Sequence, residues 1–396
     1  MTFHRTTRLM LSGAAFLSLA GSAFALDGAD LLKKINAAYN LQGGTLAAAN
    51  IDVSGTTVTL KGTTFMPNGG ANAIALGDVT LTGVEEQADG GYHVDQVAFP
   101  DVNMTNEGLT VTAQELTLRG MTVPANASGD TLDSLLMYES GHAGPVRIVK
   151  DGEEVFSIGE SLLTVTPRDN KSGVDFDGGF RDVKADLTKA GDPQSKEAIE
   201  KLALQHLDGE LTMKGGWEVG SGTMDLSEFA FDFNNVGRLN MAFNLSGYTL
   251  QFLRSMQDAV KASEANPNKE QAQQALGLAI LGLTQQLNFI SAQIRFEDAS
   301  ITNRVLDYAG SQQGMSGKQF ANSLKAMTPI MLAQLNIPEL QKAVSAAVNT
   351  YLDDPKSFTI SAAPEKPVPF PMIMGAAMGA PNTLPQVLGV KVTANN

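Results

Sequence analysis

The sequence contains no cysteine. Disulfides, zinc–thiolate sites and cysteine nucleophiles are therefore excluded, and a thioether-linked lipid anchor has no sulfur to form on. Histidine is scarce as well. Apart from His4, only His93, His142 and His206 are present, and none has a second ligand at metal-binding spacing on its own element. Basic residues are in deficit, 28 against 42 acidic, for a net charge of −14. That balance argues against nucleic acid and against simple adhesion to anionic lipid, both of which call for basic patches. Beyond the first 25 residues no apolar run approaches the roughly 20 residues of a membrane-spanning helix. The longest, Ala275 to Leu283, is interrupted by Gly277 and Gly282.

Chemical signatures are missing too. No G-x-S-x-G elbow, phosphate-binding loop or dinucleotide fingerprint occurs. The doublets Glu85-Glu86, Glu153-Glu154 and Asp353-Asp354 read as solvated turn residues. Asp169-Asn170 and Asp175-x-Asp177-Gly178 resemble a calcium loop only in part. Thioethers at Met372, Met374 and Met378 could bind a soft metal, but neither His nor Cys accompanies them, so they read as yielding apolar contact surface. The sequence thus assigns no catalytic residue, no metal ligand and no cofactor.

What is present begins with an export signal. His4, Arg5 and Arg8 precede an apolar stretch from Leu9 to Ala20, and small residues end at Ala23-Phe24-Ala25. This is the three-zone pattern of a secretory signal, with cleavage expected between Ala25 and Leu26. The expected location is the periplasm or the medium. A cysteine-free exported chain of this length suits the periplasm, because it can bury a core without disulfide staples.

Residues 29–39 carry helical spacing through Leu31, Leu32, Ile35 and Tyr39. From about 45 to 247 the period becomes two, as in Val58/Leu60, Tyr92/Val94, Phe229/Phe231/Phe233 and Leu239/Met241/Phe243/Leu245. Glycine-rich turns such as Asn68-Gly69-Gly70 separate the strands. Asp151-Gly152 predicts a type I′ hairpin turn, where both central residues take positive φ. The phase slip between Leu226 and Phe229 predicts a β-bulge. A short helix is expected near 194–205. After Tyr248 the helical period returns over 249–264, 268–286, 300–311 and 316–352. Ser316 is expected as an N-cap, Pro338 as a first helical residue, and Pro329 as a kink or break. One strand, with Ile290, Ala292, Ile294 and Phe296 on one face, interrupts these helices. Strands at 357–362 and 388–394 flank a tail that is Pro-rich from about 364.

The domain reading is a signal over 1–25, an antiparallel β-rich region over 26–247 and a helix-rich region over 248–396 that completes the same sheet. The fold class is α+β, β-dominated: an elongated, twisted antiparallel meander with C-terminal helices packed on its apolar face. Gly- and Thr-rich strands such as Ile51-Asp52-Val53-Ser54-Gly55, Leu116-Thr117-Leu118-Arg119-Gly120 and Met241-Ala242-Phe243-Asn244-Leu245-Ser246-Gly247 give the chain a resemblance to periplasmic proteins of the AsmA and YdgA kind. Ile294-Arg295-Phe296-Glu297-Asp298, leading into the helix at Ile301–Ala309, resembles their C-terminal part. The likeness spans about 45–330 and implies envelope lipid handling with no catalytic residues to carry over.

The functional expectation is an exported, non-enzymatic envelope protein that binds lipid or another apolar ligand or partner along a sheet face. Its partner is a lipid or an envelope protein, not nucleic acid, and the mature chain has no transmembrane span. The apolar, nearly uncharged tail supplies the expected ligand wall: Phe370, Met372, Met374 and Leu384. The alternatives are a structural protein of the periplasm with no ligand groove, and a hydrolase of envelope polysaccharide working through two carboxylates.

Overall fold

The computed structural model describes residues 26–39, 43–67, 72–128, 131–188, 193–334 and 336–396. The signal over 1–25 and the turn Asn68-Gly69-Gly70 lie outside the described residues.

Period-two alternation produces strands throughout the first two thirds of the chain. In chain order they are β1 (Gly44–Ala47), β2 (Asn50–Ser54), β3 (Thr57–Pro67), β4 (Ile74–Glu86), β5 (Tyr92–Ala98), β6 (Val102–Asn106), β7 (Leu109–Ala113), β8 (Thr117–Val123), β9 (Ser140–Ala143), β10 (Val146–Lys150), β11 (Glu153–Ile158), β12 (Glu160–Pro167), β13 (Gly173–Asp186), β14 (His206–Glu218), β15 (Thr223–Phe233) and β16 (Gly237–Ser246). Four more belong to the helical part: β17 (Asn288–Asp298), β18 (Ser357–Ala362), β19 (Val368–Pro369) and β20 (Val390–Ala394). The helices are α1 (Gly28–Tyr39), α2 (Pro193–Lys201), α3 (Leu250–Ala265), α4 (Lys269–Thr284), α5 (Ile301–Ser311), α6 (Gly317–Ala333), α7 (Pro338–Asp353), α8 (Phe370–Gly379) and α9 (Leu384–Val387).

All strands join one antiparallel sheet. Its spine runs β2-β3-β4-β5-β8-β9-β12-β13-β14-β15-β16-β17-β18-β20. β6 and β7 leave the meander between β5 and β8, and β10 and β11 leave it between β9 and β12; the ribbon β6-β7-β10-β11 that they form rejoins at the far end of β13 through Phe156↔Ala185. β1 adds to β3, and β19 adds to β17.

Local chemistry follows the sequence closely. Asp151 (φ 52°) and Gly152 (φ 86°) make the β10–β11 turn, and the register shifts between Leu226 and Phe229. Ser316 and Gln319 form a reciprocal capping box at the start of α6, and Pro338 opens α7. Of the two expected outcomes at Pro329, a kink or a break, the break does not occur, because α6 continues to Ala333. The backbone hydrogen bond lost at Pro329 is set against two side-chain ones nearby. Thr328 Oγ1 donates to the Leu324 carbonyl (2.7 Å), and Gln341 Nε2 donates to the Pro329 carbonyl (2.8 Å), tying α6 to α7.

Helices cover the apolar face at separate places. Leu31, Ile35 and Ala38 of α1 bury Val58, Leu60, Leu81, Val94 and Met121 beneath them. A second core joins Val174, Trp217 and Val219 to Leu250 of α3 and to Leu132, in a 3₁₀ turn at Leu132–Ser134. α7 packs along β20.

Candidate functional site

Residues paired directly across antiparallel strands share a face. One such row crosses the whole spine: Val53, Val58, Leu81, Val97, Leu118, Gly141, Leu163, Gly178, Met213, Phe229, Met241, Ile294, Ile360 and Val392. It contains no polar side chain. At about 4.8 Å per strand step it extends roughly 60 Å along the curved sheet. The neighbouring row on the opposite face reads Asp52, Thr59, Thr80, Ala98, Thr117, His142, Leu162, Gly179, Thr212, Ala230, Asn240, Arg295, Thr359 and Thr393. The sheet therefore has one apolar and one largely polar face.

Between the two helix-covered cores the apolar face is open. There it forms a groove of about 950 Å³. Leu118, Leu163, Phe180, Leu211, Met213 and Phe229 line it, together with Ile74 of β4 and Val102 and Met104 of β6. That volume lies at the upper end of the roughly 300–1,000 Å³ usual for ligand pockets. Gly141 is among the lining residues and Gly178 stands two places along the row, beyond Leu163; these are the two positions where the row has no side chain. A Cβ on Gly178 would lie 2.5 Å from the Leu162 carbonyl oxygen, so the backbone is closely approached there. Further along the face, Ile294 and Ile360 are about half exposed.

Polar groups at the groove are few and engaged with backbone. His142 Nδ1 lies 3.2 Å from the Glu115 carbonyl, and Asp101 Oδ1 accepts from the Glu115 amide at 3.3 Å. The remaining described histidines stand apart, each beside a single carboxylate: His93 by Asp95 and His206 by Asp186. Among the described residues no group of three or more His, Asp or Glu could hold a metal ion. A smaller depression on the polar face, about 330 Å³, contains Arg168, Asp175, Asp177 and Lys214, and these charges neutralise each other. Arg168 pairs with Asp175 (2.6 Å) and Glu218 (3.2 Å), and Lys214 pairs with Asp177 (3.3 Å). Hydrogen bonds hold Asp175 and Glu228 below the ordinary carboxylate range, from Arg168 and Thr212 respectively. Both groups stay ionised rather than poised as acids.

The four residues expected as the ligand wall sit elsewhere. Phe370, Met372 and Met374 belong to α8 and Leu384 to α9, and none lines the groove. The structure gathers them at the helical end of the sheet, where Phe370 N donates to the Leu287 carbonyl at 3.0 Å. The groove residues had been legible only as alternating strand residues; pairing between distant strands is what brings them together.

A family described as "Uncharacterized protein" matches residues 230–395, from β15 through β20 with α3–α9. No curated protein matches the chain.

Proposed function

We propose that this chain is an exported, non-enzymatic cell-envelope protein that holds the acyl chain of a lipid along the apolar face of its sheet. The observation that carries the reading is the polar-free row from Val53 to Val392, opened into a groove at Leu118–Phe229. Helices bury the row at Val58, Leu81, Val97 and Val392, and a monomeric surface rarely leaves a large apolar patch such as the stretch between them in water without an occupant. Burying ten methylenes there is worth roughly 8 kcal/mol before the entropic cost of binding. Export rests on the basic, apolar and small-residue zones of residues 1–25. The AsmA- and YdgA-like style of the strands supports the same setting.

The test is the content of the purified protein. Mass spectrometry under native conditions should find co-purifying lipid, and the delipidated protein should take up a fluorescent fatty acid that unlabelled lipid displaces. Protein that carries no lipid and takes up none would leave a structural role as the better reading.

A further inference from the structure

We propose that the helical end of the molecule is a bilayer-docking surface, with α4, the tip of α6 and α8 lying in the apolar layer of a zwitterionic membrane. Residues 271–294, 326–334 and 367–390 contain no Asp, Glu, Lys or Arg, in a chain that is 18% charged. The fold collects these stretches at one end of the sheet. β19 pairs with Asn288 and Phe289 at the start of β17, and Phe370 N donates to the Leu287 carbonyl, so α8 begins where α4 has just ended. α7 runs beside β20. Its C-terminal end is held by Asn395 Nδ2, which donates to the carbonyls of Thr350 (3.3 Å) and Asp354 (2.7 Å). The opposite end of α7, and the tip of α6 joined to it through Gln341 and Pro329, therefore points toward Val390. Val390 is level with Ala362 and Ala292, at the same end as Asn288.

Beside the exposed Gln271, Gln273 and Gln274 of α4, large apolar side chains of these helices are bare. Leu278 is 71% exposed, Ile330 70% and Met378 84%, and Leu281, Met331 and Met372 are exposed with them. One side of α4 packs on α3, but α4 and α8 are open at their glycines, since a Cβ built on Gly277, Gly282, Gly375 or Gly379 meets no atom within 4 Å.

Three features favour a bilayer over a protein partner. The uncharged stretches contain no Trp, Tyr or Arg, the residues that anchor protein interfaces. Leu, Ile and flexible Met suit a fluid apolar layer. The net charge of −14 directs the choice to zwitterionic rather than anionic lipid. No helix among the described residues is long and apolar enough to cross a membrane, so these helices lie in the interface. The apolar sheet face reaches this end through Leu245, Phe289 and Val368, which gives a lipid leaving the bilayer a continuous path onto the sheet. That purpose rests on the proposed groove; the docking itself does not.

Flotation of the purified full chain with phosphatidylcholine vesicles tests the surface. The protein should float with the vesicles, and high salt should not release it. The double variant L278E/M378E should lower the bound fraction about tenfold, with I330E acting in the same direction. Fatty-acid uptake in vesicle-free solution and the far-UV circular dichroism of these variants should match the parent, which separates failure of docking from failure of the groove. Four outcomes would overturn the proposal: no flotation at any phosphatidylcholine concentration; flotation only with phosphatidylserine vesicles, reversed by salt; variants that float like the parent; or a parent dimer that L278E dissociates, which would assign the surface to a second copy.

Discussion

Gly141 on β9 and Gly178 on β13 are both direct cross-strand partners of Leu163, one on each side of it. The middle of the groove therefore has one side chain where three would otherwise stand. The two glycines differ in what surrounds them. A Cβ on Gly141 would meet the end of the Leu118 side chain at 3.3 Å, whereas one on Gly178 would meet backbone at 2.5 Å. Gly141→Leu should fold and fill the groove, lowering fatty-acid uptake severalfold with little change in melting temperature. Gly178→Ala should instead cost about 1–3 kcal/mol of stability, read as a lower denaturation midpoint. Unimpaired uptake by Gly141→Leu would move the ligand off this part of the face.

Charge placed on the groove face should act differently from a change on the polar face. Phe180 and Met213 line the groove and are not fully buried, while Thr164 lies on the opposite face. Phe180→Asp or Met213→Asp should weaken binding of an acyl probe at least about tenfold, or roughly 1.4 kcal/mol, because a carboxylate must lose water wherever the chain lies against it. Thr164→Asn should leave the probe's dissociation constant unchanged. Equal effects at the two faces would defeat the assignment of the apolar face as the binding surface.

The clasp between α1 and β5 should give acid sensitivity. Asp30 Oδ2 accepts from Lys34 Nζ (2.5 Å) and from the hydroxyl of Tyr92 (2.9 Å), a residue only 1% exposed. These bonds, that from Lys34 first, hold the Asp30 carboxyl below its usual range. A carboxylate with a depressed folded-state pKa stabilises the fold above its unfolded pKa of about 3.9, and that contribution is lost as pH falls through the folded value. Asp30 is partly solvated, so the effect should stay at or below about 1 kcal/mol. Asp30→Asn should accordingly be less stable than the parent at pH 7, with the difference closing below about pH 4. Tyr92→Phe, which removes one hydrogen bond, should cost about 0.5–1.5 kcal/mol. Denaturant midpoints across pH measure both.

The elements were legible where the determinants are local. Alternation marked the strands, Asp151-Gly152 a hairpin, and the Leu226/Phe229 slip a bulge; each depends on a few consecutive residues. Whether Pro329 would break its helix was not local, because Gln341, which bonds the Pro329 carbonyl, comes from the next helix. The groove was not legible, because Val97 meets Leu118 and Gly141 meets Leu163 only after β6, β7, β10 and β11 have been set aside as a separate ribbon. A groove wall and a core wall also use the same residue types. The tail is distinguished in the sequence by its apolar, uncharged composition. It falls on α8, where Met372 and Met378 are exposed, and on α9, not on the residues that line the groove.

The open stretch between the two cores should also show in unfolding. One core lies under α1 on β3, β4, β5 and β8, and the other under α3 on β13, β14 and β15. Between them stand the four-residue β9 and the part of β12 paired with it, with the groove on their apolar side, while Val165 of β12 already packs against the second core. Trp217, the single tryptophan, belongs only to the second core, with Nε1 donating to the Tyr248 carbonyl at 2.8 Å. Its fluorescence therefore reports that core alone, while far-UV circular dichroism reports both. Leu31→Ala empties a fully buried site in the first core and should cost that core about 2–5 kcal/mol. The variant should bring forward the loss of dichroism and speed amide exchange in β3–β5, with the Trp217 midpoint unmoved. Coincident transitions that shift together would instead make the whole sheet one cooperative unit. The groove would then be held as rigidly as the cores on either side of it.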